Sequence, residues 1–306
     1  MTLIGAYAAK TDTGRKRRRN EDAFVLAPPL FAVADGMGGA QAGEVASKLA
    51  AAALEDTDPG RLAGPERVAS LIQEANRRVH ERSSVDPATS GMGTTMTVAL
   101  VEDAGVVIGH VGDSRAYLVR GREIEQLTED HSLVNELLKS GKLSAEEAET
   151  HPQRSVITRA VGTDPDVDVD SFTVHTQAGD VFLICSDGLT DMVDDRAILD
   201  AVERHRDNLD RLTKQLVSAA NRGGGEDNIT VVAFSIGELV GGDDGDTATM
   251  QAVTLPVDDD TTEDVGVRAS NEAVLPGPSA VRVRVVLATL IVLAVLVSLL
   301  LWGLMR

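Results

Sequence analysis

The chain has 306 residues, 43% of them hydrophobic, and a formal net charge of −19 at pH 7. That is enough apolar material for one sizeable core with appendages, and the acidic balance argues against nucleic acid as a partner of the whole protein. The single cysteine, Cys185, leaves no disulfide framework and reads as a small core residue inside an apolar run.

The stretch Met1–Tyr7 has no basic start followed by an apolar segment, so no signal peptide is expected. A basic run, Arg15-Lys16-Arg17-Arg18-Arg19, comes next and on its own reads as a generic patch for anionic partners. Leu30-Phe31-Ala32-Val33-Ala34 reads as a buried strand with Asp35 at its end. Helical spacing of Ala, Leu, Val and Ile predicts helices over 41–55 and 66–82. The runs Thr94–Val101, Val106–Val111 and Ala116–Val119 follow through short Gly-containing turns, the pattern of antiparallel strands. Residues 131–165 read as a flap or, equally, as a passive surface hairpin of helices, with a helix over Ser132–Ser140, a break at Gly141 and a second polar helix from Ser144. Val181–Cys185 is another buried run leading to Asp187. Asp207–Asn221 has helical spacing, and Ile229–Phe234 forms a last strand just after Asp227. Strands and helices that are partly segregated imply α+β packing.

Beyond residue 237 the composition changes twice. Residues 238–281 hold ten acids against Arg268 alone and few large apolar side chains, the composition of a disordered acidic linker. Val285–Leu304 is then a stretch of twenty uncharged residues, long enough as a helix to cross about 30 Å of hydrocarbon. Arg282 and Arg284 precede it, so the expected topology is a single transmembrane anchor with the folded part in the cytoplasm. The expected organisation is a catalytic domain over 1–237, a linker over 238–281 and an anchor over 282–306, which makes the lipid bilayer a partner.

Five short acidic motifs punctuate the first 230 residues: Asn20-Glu21-Asp22, Asp35-Gly36-Met37-Gly38-Gly39, Gly112-Asp113-Ser114-Arg115, Ser186-Asp187-Gly188 and Glu226-Asp227-Asn228. Taken singly, each Asp-Gly pair is turn chemistry at a strand end. Together they put carboxylates at the rims of several buried strands, where they repel one another unless protons or cations neutralise them. Oxygen donors without His or Cys suit a hard divalent ion.

These residues carry a resemblance. With Arg17 four residues before Glu21, and with Gly91-Met92-Gly93-Thr94-Thr95, Cys185-Ser186-Asp187-Gly188-Leu189 and Gly224-Gly225-Glu226-Asp227-Asn228-Ile229-Thr230-Val231 in the same order, the chain resembles the metal-dependent (PPM, type 2C) serine/threonine protein phosphatases of bacteria. The likeness runs from about Leu3 to Ser235. It implies two stacked antiparallel β-sheets flanked by helices, an αββα sandwich with the site at one edge between the sheets.

The resemblance also implies roles. Asp35 bridges two Mn²⁺ or Mg²⁺ ions, the Gly36 carbonyl adds a ligand, and Asp187 and Asp227 hold the other ion. Glu21 and Asp22 act through metal-bound water, and Asp113 with Asp187 matches positions that hold a third, weaker ion. Hydrolysis of phosphoserine and phosphothreonine on proteins then follows from attack by a hydroxide shared between the ions. Arg17 is assigned to the phosphate, because a guanidinium can bind two phosphoryl oxygens. At Met37 many eukaryotic relatives carry a proton-donating His. His131 and His151 are nominal donors but read as structural, and Arg154 and Arg159 are flap cations for substrate phosphate or for acidic side chains. Phosphorylated proteins, membrane-bound serine/threonine kinases among them, are the implied partners. Two other classes share parts of this chemistry: a two-metal hydrolase of nucleotides or phosphodiesters, and a non-catalytic phosphoprotein-binding relative.

Overall fold

The computed structural model describes residues 2–38, 42–57, 61–149 and 151–237. In chain order the strands are β1 (Ile4–Asp12), β2 (Asp22–Ala27), β3 (Leu30–Met37), β4 (Gly93–Thr94), β5 (Met96–Glu102) and β6 (Gly105–Val111). They continue with β7 (Arg115–Arg120), β8 (Glu123–Gln126), β9 (Asp170–Val174), β10 (Val181–Cys185) and β11 (Ile229–Ile236). They form two antiparallel sheets, one ordered β1-β11-β10-β7-β8 and the other β2-β3-β5-β6-β9, with β4 paired to β3.

The central strands read as unbroken apolar runs because they are buried on both faces. Phe31 and Val33 of β3 point into the seam between the sheets, while Ala32 and Ala34 face a helical layer. On β11, Val232 and Phe234 face the seam, and Val231 and Ala233 face the opposite layer. Three rings close the seam: Phe234 stacks on Phe31 with centroids 4.3 Å apart and on Phe182 at 5.1 Å.

Helices α1 (Ala42–Asp56) and α2 (Gly64–Val85) cover the β3-containing sheet, close to the predicted 41–55 and 66–82. On the other side, α7 (Leu209–Gly223) packs on β1 and β11 and α6 (Asp195–His205) packs against α7. Asn208 caps α7 by accepting from the Arg211 N–H, which starts the helix two residues after the expected Asp207. In the flap, Ser132 caps α3 (Leu133–Lys139), Gly141 breaks the chain in a left-handed conformation, and α4 (Ala145–Glu149) follows. A single-turn helix, α5 (Asp187–Thr190), completes the set.

One sequence expectation is corrected. Asp35 does not end its strand: β3 runs on to Met37, pairing with β5 over Leu30–Val33 and with β4 over Gly36–Met37. Among the described residues no helix is long and apolar enough to cross a membrane. The expected linker 238–281 and anchor 282–306 lie outside the described residues, as does Gly39 of the second acidic motif.

Candidate metal centre

Each acidic motif reaches one edge of the sandwich by a different route. Asp35 sits where β3 changes partners. Its N–H donates to Thr95 Oγ1 (2.9 Å), and its carbonyl accepts from the Thr95 N–H (2.8 Å) and the Thr94 hydroxyl (2.8 Å). Asp22 lies directly opposite Asp35 in the β2–β3 register, so two like charges face each other across one antiparallel pair. Asp113 follows Gly112, whose φ of +110° and whose closeness to Thr95 (a Cβ would lie 2.6 Å from that side chain) leave no room for another residue. Asp187 opens α5, and Asp227 stands before β11.

These groups surround a cleft of about 710 Å³ lined by seven of the eight candidate residues: Arg17, Glu21, Asp35, Gly36, Asp113, Asp187 and Asp227. The eighth, Asp22, lies behind the wall. Its Oδ2 accepts from the Thr230 hydroxyl (2.6 Å) and the Ser186 hydroxyl (2.9 Å), tying β2 to the end of β10 and to β11. Gly36 approaches α1 so closely that a Cβ there would meet the Gly43 carbonyl oxygen at 2.1 Å. Close approach of backbone to backbone, rather than a turn, is what this glycine provides.

The electrostatics are those of an unneutralised anion cluster. Burial first, and then repulsion from Asp22, Asp187, Asp113 and Asp227, hold the Asp35 carboxyl well above the usual carboxylate range. Asp187 is raised in the same way, by burial and then by Asp113 and Asp227. Burial also pushes Asp113 up to about 7 and Asp22 to about 6. Asp35 and Asp187 keep part of their surface open to the cleft, yet dense protein surrounds their carboxyl groups. That packing governs, because Asp187 Oδ1 has almost no solvent-accessible surface and no hydrogen-bond partner.

Asp22 Oδ1 is orphaned in the same way, so two buried carboxylate oxygens await a cation or a proton. Among the described residues, no three His, Cys, Asp or Glu side chains close around a single point tightly enough to cage an ion. A hard ion of the Mg²⁺ kind does not need a cage, since it keeps several waters and takes one or two carboxylates. The donor set fits such ions.

Arg17 enters the cleft from the basic arm and holds Asp227 Oδ2 at 2.5 Å, with 54% of its side chain exposed. The arm is anchored by a residue with no role expected from its motif. Asn228 accepts from the Glu21 N–H (2.7 Å) and donates to the carbonyls of Thr13 and Arg19, both at 2.9 Å. Its signal was its place in Glu226-Asp227-Asn228, but its partners lie some 210 residues away.

The flap residues divide. His131 is 8% exposed; its Nδ1 accepts from the Gly112 N–H (3.0 Å) and its Nε2 meets Asp170 Oδ2 (3.1 Å). It braces the turn that carries Asp113 and does not line the cleft. His151 takes the Gln153 N–H at 3.2 Å. Arg159 is held by Asp170 (2.7 Å) at the flap base, away from the cleft, whereas Arg154 stands 3.6 Å from Asp191 in an adjoining cavity. Met37 lines the cleft and has no proton to give.

A family model described as Protein phosphatase 2C matches residues 14–222. The chain belongs to that family. Serine/threonine protein phosphatase PstP of Mycobacterium tuberculosis is 39% identical over 262 residues, which is 85% of this chain and 50% of the relative. This phosphatase 2C family chain therefore spans about half the length of that relative. Serine/threonine phosphatase stp of Listeria welshimeri is 41% identical over 234 residues, covering 73% of this chain and 92% of the relative. A crystal structure of the catalytic domain of PstP in complex with two manganese ions aligns with a TM-score of 0.69 at 36% identity, covering 77% of this chain and 99% of that one. The two-sheet architecture is thus the phosphatase 2C fold.

Proposed function

We propose that the chain is a metal-dependent protein serine/threonine phosphatase that hydrolyses phosphoserine and phosphothreonine monoesters on proteins. The observation that carries this reading is the cluster of buried carboxylates with two orphaned oxygens, open to a cleft that Arg17 enters. The kinship with PstP and stp, both named as serine/threonine phosphatases, supports it.

Asp35, the Gly36 carbonyl, Asp187 and Asp227 would hold two Mn²⁺ or Mg²⁺ ions, and Asp113 with Asp187 would hold a third, weaker one. Glu21, on the cleft wall, would orient the surrounding water. Bound there, the ions supply Lewis acidity and make hydroxide available near neutral pH. The chain's own residues do the rest. Arg17, anchored through Asn228, offers its N–H groups to two phosphoryl oxygens and turns the phosphorus towards the carboxylate floor. Met37 lines the cleft but has no proton for the leaving alcohol, so it is not the general acid. Asp22, locked between Ser186 and Thr230, keeps the floor from spreading as charge shifts.

Val285–Leu304, preceded by Arg282 and Arg284, supports a tether that holds residues 1–237 at the inner face of a membrane through the acidic linker 238–281. There the enzyme is concentrated beside membrane-bound kinases and their phosphorylated substrates. The test is Mn²⁺-dependent turnover of a phosphothreonine peptide, compared with a phosphodiester, by wild type, Asp35→Asn and Asp187→Asn. Loss of peptide turnover in both variants is expected. Undiminished turnover, or preference for the diester, overturns the reading.

A further inference from the structure

The five cations of the basic arm are not equivalent. Lys16 pairs with Glu226 at 2.5 Å, Arg17 pairs with Asp227, and Arg19 stands 4.0 Å from Glu44, which Lys48 already holds at 2.8 Å. Arg15 lines a different cavity, beside Lys10, Lys214 and Arg222. Arg18 alone combines a place on the wall of the reaction cleft with a guanidinium that has no carboxylate partner among the described residues. It also lines a neighbouring hollow of about 540 Å³ with Arg19, Asn20, Lys48 and two acids, Asp22 and the Glu44 that Lys48 holds.

Its backbone is held in place on both sides. The Arg15 and Lys16 N–H groups donate to the Gly225 carbonyl (2.8 and 3.2 Å), and the Arg19 carbonyl accepts from Asn228. A cation on a pre-ordered segment loses little freedom on meeting a ligand. Charge gives the site a direction. Across Asp113 and Asp187 the adjoining cavity of about 750 Å³ sets Asp130, Asp191, Asp194 and Asp195 against Arg115, Arg154 and Arg196, and two of those cations are already paired, Arg115 with Asp130 and Arg154 with Asp191, so the balance there stays acidic. The whole chain, at −19, is acidic as well. An anionic group travelling with the substrate therefore finds its favourable contact on the arm side of the cleft.

We propose that Arg18 is a specificity residue that selects phosphoproteins bearing a second anionic group, a carboxylate or a second phosphate, beside the phosphate to be removed. This rests on the phosphatase reading above. The scissile phosphate occupies Arg17 and the carboxylate floor, and the neighbouring anion takes Arg18. A phosphate, with more charge and three acceptor oxygens, gains more than a carboxylate.

The full chain with Mn²⁺ is given three phosphothreonine peptides: one with neutral flanks, one with flanking Glu residues, and one with a second phosphothreonine two residues away. Wild type should show a KM about two- to fivefold lower for the anionic peptides at low salt, an advantage that shrinks at high ionic strength. Arg18→Ala should bring the three KM values within twofold of one another, with kcat on the neutral peptide unchanged. Arg18→Lys should keep the preference for Glu and lose part of that for the second phosphate, because an ammonium cannot bind bidentately. The same peptides are titrated by fluorescence anisotropy in EDTA, which reads Arg18 without turnover. If no peptide is hydrolysed by wild type, the phosphatase reading fails, and the binding series still decides the role of Arg18. Equal selectivity in wild type and Arg18→Ala, by KM and by binding, overturns the proposal.

Discussion

Replacing Asp113 with Asn separates the stability cost of the site from its purpose. Asp113 is only 9% exposed, and burial raises its carboxyl from the ordinary 3.8 to about 7. Below pH 3.8 the folded and unfolded states both hold the proton, so there is no penalty. As pH rises towards 7, the unfolded chain ionises first, and the folded state loses relative stability across that window. At 1.36 kcal/mol per pH unit the full penalty is about 4 kcal/mol. Asn has the same shape without the charge, but it still leaves a buried amide to satisfy, so the gain from Asp113→Asn is about 1–4 kcal/mol. For a domain of this size that corresponds to a rise in Tm of roughly 3–12 °C. The assay is thermal unfolding of the full chain in EDTA at pH 7.5 and at pH 5, repeated with Mn²⁺. The variant should be the more stable protein at pH 7.5 without metal, its advantage should shrink at pH 5, and Mn²⁺ should stabilise it less than wild type. A variant no more stable than wild type in EDTA at pH 7.5 would refute the argument that burial of this carboxylate strains the metal-free fold.

Asn228→Ala removes three hydrogen bonds that hold the arm, and should raise KM for phosphopeptides several-fold while costing about 1–3 kcal/mol of stability by urea unfolding. Phe234→Ala takes the central ring out of the seam and should cost about 3–5 kcal/mol, measured as a fall in the denaturation midpoint. His110, wholly buried between Thr97 and the Glu129 carbonyl, has its pKa lowered by burial from 6.5 to about 4. Between those pH values only the unfolded chain takes up the proton, so up to about 3 kcal/mol is lost as pH falls from 6.5 to 4. The stability gap between wild type and His110→Gln should narrow over that range, and a constant gap would contradict it.

What the sequence made legible follows from which faces are buried. β3, β10 and β11 stood out because the seam and a helical layer bury both of their faces. The helices α1, α2 and α7 stood out because one stripe of each is apolar. β8 and β9 went unread, since both are edge strands with polar, partly exposed side chains. α6 is charged over most of its surface and buries only Ile198, Ala201 and Val202. At the site, the residue types and their order revealed the carboxylates, and the structure gathers seven of the eight candidates around one cleft. The bracing by Asn228 and His131 was not readable, because each joins segments far apart in the chain through hydrogen bonds that leave no periodic trace. The step of β3 from β5 to β4 at Asp35 was hidden too, since alternate pairing partners do not alter the apolar pattern.

The order of strands has a consequence for how the protein is made. β1 has one sheet neighbour, β11, which begins more than two hundred residues later. During synthesis β1 emerges well before β11 and has no sheet neighbour among the described strands until β11 follows. Synthesis at roughly 5–20 residues per second makes that interval on the order of ten seconds or more. Asp227 and Asn228, which hold Arg17 and its arm, arrive at the same late moment. An incomplete chain therefore carries most of the carboxylates but neither the anchored arginine nor a closed first sheet.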